Sequence, residues 1–405
     1  MKIVIFLENN RAGGLDAFCI NLIQSWPNQT DEFILFCNES HPGLRYIENS
    51  KLTNLKIMPH NIPLSWEISW INSIKNNILK KIFLNIVRFI LLPYQYNRVK
   101  ALLKNTNSNN LISLNGGYPG GNTTRMANIA WKSLDKGKSI HAIHGHPSKS
   151  TSMLKMLIEK YITKKLFDSA TNIVTVSNSC IESIKKVPGY DKSYKIDLIY
   201  NGINCNPPLK TAKKLKIRDY VDIPKNSSVL LMLGTYDPNK GHSFLFEAMK
   251  KVVKDFPDCH LIICGDGNEK EKYAVRQLLE QIPFLEKNVH LLDYIEGGST
   301  FMSEADMVLI GSQENESFGL TAIEAMNNSI PIVSTDVGGL KEVIENSVVG
   351  YCCDKNSPEI FADKIIYLLK NPRIRKDMGD KGKLHVQNNF DSYRMSIEYQ
   401  KLLMK

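Results

Sequence analysis

The stretch ENESFGLTAIEAM, residues 314–326, carries carboxylates on both sides of a glycine. An apolar, strand-like run precedes it, and its second half has the pattern of a helix with Gly319 in the first turn. The backbone N–H groups at 318–320 would have no partner within such a helix. The helix dipole and the missing glycine side chain both favour an anion at that point, so the segment predicts a phosphate site.

Glu316 and Glu324 stand on either side of this predicted site. With Glu316 in the loop and Glu324 about two turns along the helix, roughly 9–12 Å would separate them. Carboxylates accept paired hydrogen bonds from hydroxyl groups, so the pair suits the two sugars of a nucleotide sugar whose diphosphate lies between them. A capped helix with an acidic first turn and a solvent-facing Glu324 would explain the same residues without a ligand.

Short apolar runs rich in β-branched residues alternate with helical stretches along the chain. The runs are KIVIF, FILFC, LISL, SIHAIH, NIVTVS and DLIY, followed by VLLML, HLIICG, VHLLD, MVLIG and PIVSTD. This alternation is typical of βαβ units and parallel sheets covered on both faces. Two such series predict an α/β protein with two Rossmann-like domains.

The two series are separated by a proline pair at 207–208 and a basic, polar connection over about 206–222. Prolines interrupt both helices and strands, so a domain boundary is expected there. We therefore predict a first domain at 1–206 and a second at 207–390. A final helix at 391–405 is expected to pack back on the first domain.

The composition is that of an ordinary globular protein. The 405 residues are 43% hydrophobic and 23% charged, and the start lacks the long apolar region of a signal peptide. Eight cysteines without CxxC spacing predict reduced thiols and a cytoplasmic location. The formal net charge of +10 is compatible with polyanions, anionic membranes or phosphorylated small molecules as partners.

The segment at 71–104 concentrates positive charge, with seven basic residues and no acid. Its apolar runs are far shorter than the roughly 20 residues needed to cross a bilayer. Two interpretations fit equally well. The segment is either a basic amphipathic helix lying on anionic lipid, or a solvated helix whose apolar side packs on the first domain.

Residues 311–344, GSQENESFGLTAIEAMNNSIPIVSTDVGGLKEVI, resemble the signature of retaining glycosyltransferases of family 4, of the type that assembles bacterial polysaccharides. Four other blocks resemble the same family and occur in its order: VTVSNSCIESI, LIYNGIN, LMLGTYDPNKGHSFLFEAM and LIICGDG. The resemblance implies the GT-B fold, in which two Rossmann-like domains face each other across a cleft.

The resemblance also implies a reaction. A hexose or hexosamine would pass from a nucleotide diphosphate sugar, most simply a UDP-sugar, to a hydroxyl acceptor with retention of configuration. The implied catalytic residues are His144, Lys240 and Glu316. The implied donor-binding residues are Gly14, Thr235, Gly265, Gly267, Ser317, Phe318, Gly319, Leu320 and Glu324.

The acceptor side is predicted in the first domain. The resemblance places Gly13 there, and the glycine-rich NGGYPGGNTTRM follows the strand-like LISL. A loop at the carboxyl end of a strand suits ligand binding, although a plain surface turn fits the composition about as well. The residues expected on the acceptor side are Gly13, Asn115, Gly116, Gly117, Tyr118 and Arg125.

Thr235 departs from the family pattern, which has an arginine at this position, five residues before Lys240. A threonine hydroxyl cannot replace the charge and fork of a guanidinium group. Arg11 and Lys341 are the candidate replacements, and the sequence does not rank them.

Three histidines, at 141, 144 and 146, also raise the question of a metal site. No cysteine or acid lies close to them in sequence, and zinc sites usually need three or four protein ligands. We therefore expect no metal, and the resemblance likewise implies a metal-independent enzyme without a cofactor. Among the three, His144 is assigned to the active site, where it would contact a hydroxyl of the donor sugar.

Other functions compete with this one. A sugar-nucleotide epimerase would use the same fold, whereas a phosphorylase would need a cofactor lysine and a longer chain. A basic, non-catalytic binding protein is the third possibility, but no nucleic-acid recognition motif is present. If 71–104 meets the inner face of the cytoplasmic membrane, the natural acceptor is a lipid-linked or growing surface glycan.

Overall fold

The structure is a computed structural model that describes residues 1–148, 153–205 and 215–404. The chain divides into two compact units. The first consists of Met1–Gly202 and Ser392–Lys405, and the second of Ile203–Asp391. Part of the predicted connection, 206–214, lies outside the described residues.

The strands of the first unit are β1 (Lys2–Leu7), β2 (Glu32–Asn38), β3 (Leu55–His60), β4 (Asn110–Asn115), β5 (Lys138–Ile143), β6 (Asn172–Thr175) and β7 (Ile196–Leu198). Those of the second are β8 (Ser228–Leu233), β9 (Cys259–Cys264), β10 (Val289–Leu292), β11 (Met307–Ile310), β12 (Ile332–Thr335) and β13 (Gly350–Cys353). In the described ranges they form two sheets, ordered β3-β2-β1-β4-β5-β6-β7 and β10-β9-β8-β11-β12-β13. Every pairing between neighbouring strands is parallel.

The helices up to 184 are α1 (Gly14–Gln24), α2 (Leu44–Asn49), α3 (Ser69–Asn72), α4 (Asn77–Lys104), α5 (Asn122–Ser133), α6 (Met153–Ser169) and α7 (Asn178–Ile184). Those that follow are α8 (His242–Asp255), α9 (Glu269–Glu280), α10 (Leu320–Asn327), α11 (Leu340–Val343), α12 (Pro358–Lys370), α13 (Pro372–Asn389) and α14 (Ser392–Met404). Short 3-10 turns occur at Ser65–Glu67, Ile217–Asp219, Pro238–Lys240, Pro283–Leu285 and Gly298–Glu304. Among the described residues, none of these helices combines the length and the apolar character that a bilayer crossing requires.

Both faces of the first sheet are buried, which explains why its strands read as continuous apolar runs. Successive side chains of a strand point to opposite faces. In β1, Ile3 and Ile5 therefore pack with α1 and α14, whereas Val4 and Phe6 pack with α4, α5 and α6. The second sheet is covered by α8 and α12 on one face, where Leu230 and Met232 are buried. The predicted α/β fold class with two parallel sheets is confirmed.

Candidate functional site

The second sheet has a topological switch point between β8 and β11. Successive strands run outward from β8 through β9 to β10, and the chain then returns to place β11 on the other side of β8. Ligands of open α/β sheets bind at the carboxyl ends of the strands at such a point. The loop after β8 supplies Lys240, at the end of the turn Pro238–Lys240, and the loop after β11 supplies Glu316.

These two side chains form an ion pair. Lys240 Nζ lies 2.8 Å from Glu316 Oε2, and the Ser312 hydroxyl donates to the same oxygen at 3.1 Å. The lysine side chain is 30% exposed and the carboxylate 15% exposed. The Glu316 charge raises the pKa of Lys240, while burial opposes that effect. Lys240 is therefore held as a cation at the carboxyl edge of the sheet.

Helix α10 begins beside this pair, at Leu320, whereas the sequence predicted a helix from Ser317. Gly319 is its N-cap rather than a member of the first turn, with φ 99° and ψ 59°. The Gly319 carbonyl accepts from the amides of Ala322 and Ile323, at 2.9 and 3.4 Å. The amides at 319–321 have no acceptor carbonyl within the helix, because they belong to its N-terminus. They are therefore potential hydrogen-bond donors to an anion.

Two neighbouring glycines, Gly338 and Gly339, hold the loop that carries Glu316. The Gly339 amide donates to the Glu316 carbonyl at 2.8 Å. A Cβ atom at Gly338 would overlap the Glu316 carbonyl oxygen, and one at Gly339 would overlap the Ser317 carbonyl oxygen. The GG of DVGGL therefore permits a close backbone contact that sequence reasoning missed, although the pair itself was visible.

Lys240, Ser312, Glu316, Gly319 and Thr321 line one small cavity of about 40 Å³. The cavity thus combines a cation, a carboxylate, a hydroxyl and the start of a helix. Groups of these kinds bind phosphates and hydroxyl groups in proteins. Among the described residues, no other basic side chain lines it.

The structure shows where Thr235 and the two candidate replacements for the missing arginine lie. Thr235 lies partly exposed in the loop after β8 but does not line this cavity. Lys341 holds an ion pair of its own, with Nζ 2.9 Å from Asp336 Oδ2. Arg11 belongs to the first unit.

The loop after β9 is packed tightly against the loop after β8. Gly265 is buried, and a Cβ atom there would overlap the Gly234 carbonyl oxygen. At Gly267 a Cβ atom would lie 2.8 Å from the Tyr236 Cβ atom. These predicted donor-binding glycines therefore shape the neighbouring loop, and Gly267 remains partly exposed.

The rest of the predicted donor residues are distributed along the start of α10. Phe318 is buried, with its ring packed edge-on against Phe390 at a centroid distance of 5.6 Å, so it anchors the loop. Ser317 and Leu320 are partly exposed. Glu324 lies on α10 itself and is partly buried, and burial raises its pKa to about 7.

The first sheet also has a topological switch point, between β1 and β4. Gly13 and Gly14 follow β1, with Gly13 as the N-cap of α1 and Gly14 as its first residue. The buried Asp16 carboxylate accepts from the Gly13 amide at 2.9 Å and pairs with His41 Nε2 at 2.8 Å. Asp16 and His41 position the glycine turn, and sequence reasoning missed both.

His144 follows β5 directly and lies at the carboxyl edge of the first sheet. Its ring packs edge-on against Phe18 at 4.1 Å, and its Nε2 finds no partner among the described residues. Burial lowers its pKa to about 3, so the ring is neutral. His141, by contrast, is fully buried, with Nδ1 2.6 Å from the Ser113 hydroxyl oxygen. The role predicted for His144 at the donor sugar stays a prediction.

In the glycine-rich loop after β4, only some of the predicted acceptor-side residues are accessible. Gly116 and Gly117 are accessible, whereas Asn115 is fully buried and its amide group bonds to backbone atoms within the loop. Tyr118 is buried, and its hydroxyl donates to Thr163 at 2.6 Å. Asn115 and Tyr118 therefore hold the loop from inside.

The prediction that Arg125 lies on the acceptor side is wrong. Its guanidinium group is fully buried on α5 and donates to Glu159 at 2.5 Å and to Asn122 at 2.7 Å. An enclosed, paired arginine supports the loop and does not reach an acceptor. Glu8 has a similar role, because its buried carboxylate joins β1 to α5 through the Thr123 amide and hydroxyl, at 2.6 and 2.5 Å.

Comparisons with known proteins agree with this geometry. Residues 213–385 match the family model described as glycosyl transferases group 1. The N-acetyl-α-D-glucosaminyl L-malate synthase of Bacillus anthracis is 28% identical over 228 residues, which cover 56% of this chain and 58% of that protein. The chain spans about half the length of the curated relatives it matches.

Two crystal structures share the fold over almost the entire chain. A glycosyltransferase from Rickettsia africae has a TM-score of 0.75 at 18% identity, covering 99% of this chain and 97% of its own. Anabaena HepE in complex with UDP and glucose has a TM-score of 0.74 at 16% identity, covering 100% of both chains. The resemblance predicted from the sequence is confirmed: residues 213–385 match the glycosyl transferases group 1 model, and the chain has the GT-B fold.

Proposed function

We propose that the protein is a glycosyltransferase that moves a hexose or hexosamine from a nucleotide diphosphate sugar, with UDP as the nucleotide, to a hydroxyl acceptor. The Lys240–Glu316 pair beside the first amides of α10, at the switch point of the second sheet, carries this proposal. The UDP and glucose in the Anabaena HepE complex support a UDP-sugar as the donor.

The proposed mechanism assigns the departing diphosphate to Lys240 and the amides at 319–321, at the start of α10. As the bond between the anomeric carbon and the phosphate oxygen breaks, these groups stabilise the negative charge that develops on UDP. The acceptor oxygen forms the new bond on the same face, and its proton passes to the departing phosphate oxygen. Configuration is therefore retained. No metal is required, because Lys240 and the helix start supply the positive potential.

Glu316 and Glu324 would hold the donor without forming a covalent bond to it. Glu316 lies beside the diphosphate site and would accept hydrogen bonds from the transferred sugar. Glu324 would accept from the ribose. His144, a neutral imidazole on the first unit, would contact a hydroxyl of the donor sugar.

Helix α4 supports an acceptor at a membrane surface. Exposed apolar side chains three or four residues apart are neighbours on this helix and form an apolar stripe that includes Ile78, Leu79, Ile82, Phe83, Ile86, Ile90 and Tyr94. Lys75, just before the helix, and Lys104, its last residue, are exposed as well. A helix with an apolar stripe and basic flanks suits anionic lipid, so we place the enzyme on the cytoplasmic face of the membrane, with a lipid-linked or growing bacterial surface glycan as acceptor.

Thermal unfolding in the presence of UDP-, GDP- and ADP-sugars tests the donor assignment. A ligand that binds only the folded protein must raise the melting temperature, and we expect UDP-sugars to do so. Lys240→Met should abolish the shift. Conversion of a UDP-sugar to its epimer without an acceptor would contradict glycosyl transfer and support the epimerase alternative.

Flotation with vesicles that contain anionic lipid tests the membrane contact. Wild-type protein should float, and the double variant Ile86→Glu with Ile90→Glu should stay in the soluble fraction. Leu384→Glu is the matched control, because Leu384 is an exposed apolar residue of α13 in the second unit. Equal flotation of all three proteins would contradict a docking role for α4.

A further inference from the structure

One lysine of the second unit holds the loop that carries Glu316, although the two are well separated in the sequence. Lys355 lies in the connection between β13 and α12, and its Nζ donates to the Gln313 carbonyl oxygen at 2.8 Å, across 42 residues. Gln313 precedes Glu316 in the loop after β11. The proposed mechanism assigns no role to Lys355.

The backbone of Gln313 is bound by other loops on both sides. Its amide donates to the Asn239 carbonyl oxygen at 2.8 Å. Asn239 directly precedes Lys240 in the turn that follows β8. The Gln313 carbonyl oxygen accepts from Lys355. Gln313 therefore joins the loops that follow three strands of the second sheet, β8, β11 and β13.

The turn after β8 and the loop after β11 are also in close contact at a glycine. Gly241 has φ 75°, and a Cβ atom there would overlap the Gly311 carbonyl oxygen. The Gln313 side chain donates to that same carbonyl oxygen at 2.7 Å. Lys240 and Glu316 thus belong to two segments whose backbones touch, and Gln313 lies at the contact between them.

The loop after β11 has a buried start and an exposed middle. The Thr335 hydroxyl, in β12, donates to the Ser312 carbonyl oxygen at 2.6 Å, and both residues are fully buried. Gln313 is partly exposed, and residues 314–315 are exposed. Lys355 therefore makes its contact at the point where the loop reaches the surface, before the chain arrives at Glu316.

The Lys355 contact is of a strong kind. A hydrogen bond with an ionised donor is roughly twice as strong as one between neutral groups. The Lys355 side chain is partly buried, which limits competition from water. Its own connection is held by Asp354, whose side chain accepts from the Asn356 amide at 2.7 Å. Lys355 is thus suited to hold the loop in one position.

We propose that Lys355 is a positioning residue of the donor site. It does not line the cavity formed by Lys240 and Glu316, so it acts through Gln313. By holding Gln313, it keeps the loop of Glu316 and the turn of Lys240 in the arrangement that binds the donor. The inference rests on the proposed glycosyltransferase function, because the arrangement of these two side chains matters only to a site that uses both.

Hydrogen exchange without any ligand tests the contact itself. In Lys355→Met, peptides that contain 311–316 and 237–241 should exchange about fivefold faster than in wild-type protein, because the loop loses one of its anchors. Lys355→Arg keeps a charged donor and should restore slow exchange. Lys364→Met is the matched control, since it removes the same charge from α12, where Lys364 Nζ lies 4.8 Å from the centre of the Tyr351 ring. Unchanged exchange in Lys355→Met would overturn the proposal.

Binding of UDP and of uridine shows whether the donor site depends on this contact. Lys240 would meet the diphosphate, which uridine lacks. Lys355→Met should therefore lower the affinity for UDP about tenfold and leave that for uridine within about twofold of wild type. Lys355→Arg should recover most of the UDP affinity, and Lys364→Met should bind like wild-type protein. An equal loss for both ligands would indicate a general structural defect and would overturn the positioning role.

The positioning role and the proposed function fail in different ways. A wild-type protein that binds neither UDP nor another nucleotide diphosphate sugar would refute the proposed function, and the role of Lys355 with it. If wild-type protein binds UDP and Lys355→Met binds it equally well, only the positioning role is refuted and the donor site stands.

Discussion

Replacing Lys240 with methionine removes the positive end of the ion pair at the candidate site and leaves Glu316 with the Ser312 hydroxyl as its remaining neighbour in that contact. Replacing Glu316 with glutamine removes the negative end. If the two side chains interact as the structure shows, the double variant should cost less stability than the sum of the two single variants. The difference is the coupling energy of the pair.

Its size follows from the geometry. At a separation of 2.8 Å, two unit charges attract by about 1.5 kcal/mol at the dielectric constant of water and about 6 kcal/mol at an effective value of about 20. Desolvation of the two charges opposes this attraction, and both side chains keep some contact with water. We therefore expect a coupling of about 1–2 kcal/mol, above the few tenths that are typical of exposed pairs.

The measurement must report on the second unit. All four tryptophans lie in the first unit, so their fluorescence is not suited to this purpose. Hydrogen exchange of peptides from β8 and β11 gives the local free energy of unfolding for each variant. The exposed pair Lys250–Glu247, also 2.8 Å apart, is the matched control. A Lys240–Glu316 coupling no larger than that of the control would refute the reasoning.

Three further outcomes are expected. Burial raises the pKa of Glu324 to about 7, whereas an unfolded glutamate titrates near 4.3, so the second unit should lose stability as the pH rises from about 4.3 to about 7. Calorimetry of Glu324→Gln should show this loss removed, and an unchanged pH profile would count against the burial. Gly319→Ala should destabilise the second unit by about 1–3 kcal/mol, because φ is 99° and the new Cβ atom would lie 2.7 Å from Leu340 Cδ2; wild-type stability in a melting experiment would show that the left-handed cap is dispensable. Glycosyl transfer should continue in millimolar EDTA, and activity that disappears and then returns with added Mg²⁺ or Mn²⁺ would contradict the metal-independent mechanism.

The order of strands and helices was largely predictable, because buried parallel strands leave a clear apolar signature. The strands that the patterns missed, β3 and β13, both lie at sheet edges. In β3, exposed positions such as Lys56 interrupt the apolar run, and Pro59 is the kind of residue that edge strands tolerate. A half-exposed edge strand carries too little apolar periodicity to be recognised from the sequence.

The donor-side residues were predictable in identity but not in conformation. The segment from 311 to 344 indicated Glu316 and the amides of α10, yet it gave Gly319 a place inside the helix rather than at its N-cap. Nor did it show that Gly338 and Gly339 press against the loop that carries Glu316. Such contacts depend on the packing of two loops, which residue spacing does not specify.

The first unit was harder to predict, because its polar contacts join distant parts of the chain. Arg125 meets Glu159 across 34 residues, and Glu8 meets Thr123 across 115. A buried arginine and an accessible one look alike in a sequence, so Arg125 was assigned to the acceptor. The fold shows that the charge of Arg125 is balanced by the buried Glu159.

The last helix, α14, has a consequence for biosynthesis. Met395 and Tyr399 of this helix complete the core of the first unit, beside Phe18 of α1. A ribosome therefore synthesises the whole second unit before it delivers the residues that close the first core. Until then, the nascent first unit exposes an apolar surface that α14 later covers, and chaperones would be expected to recognise it there.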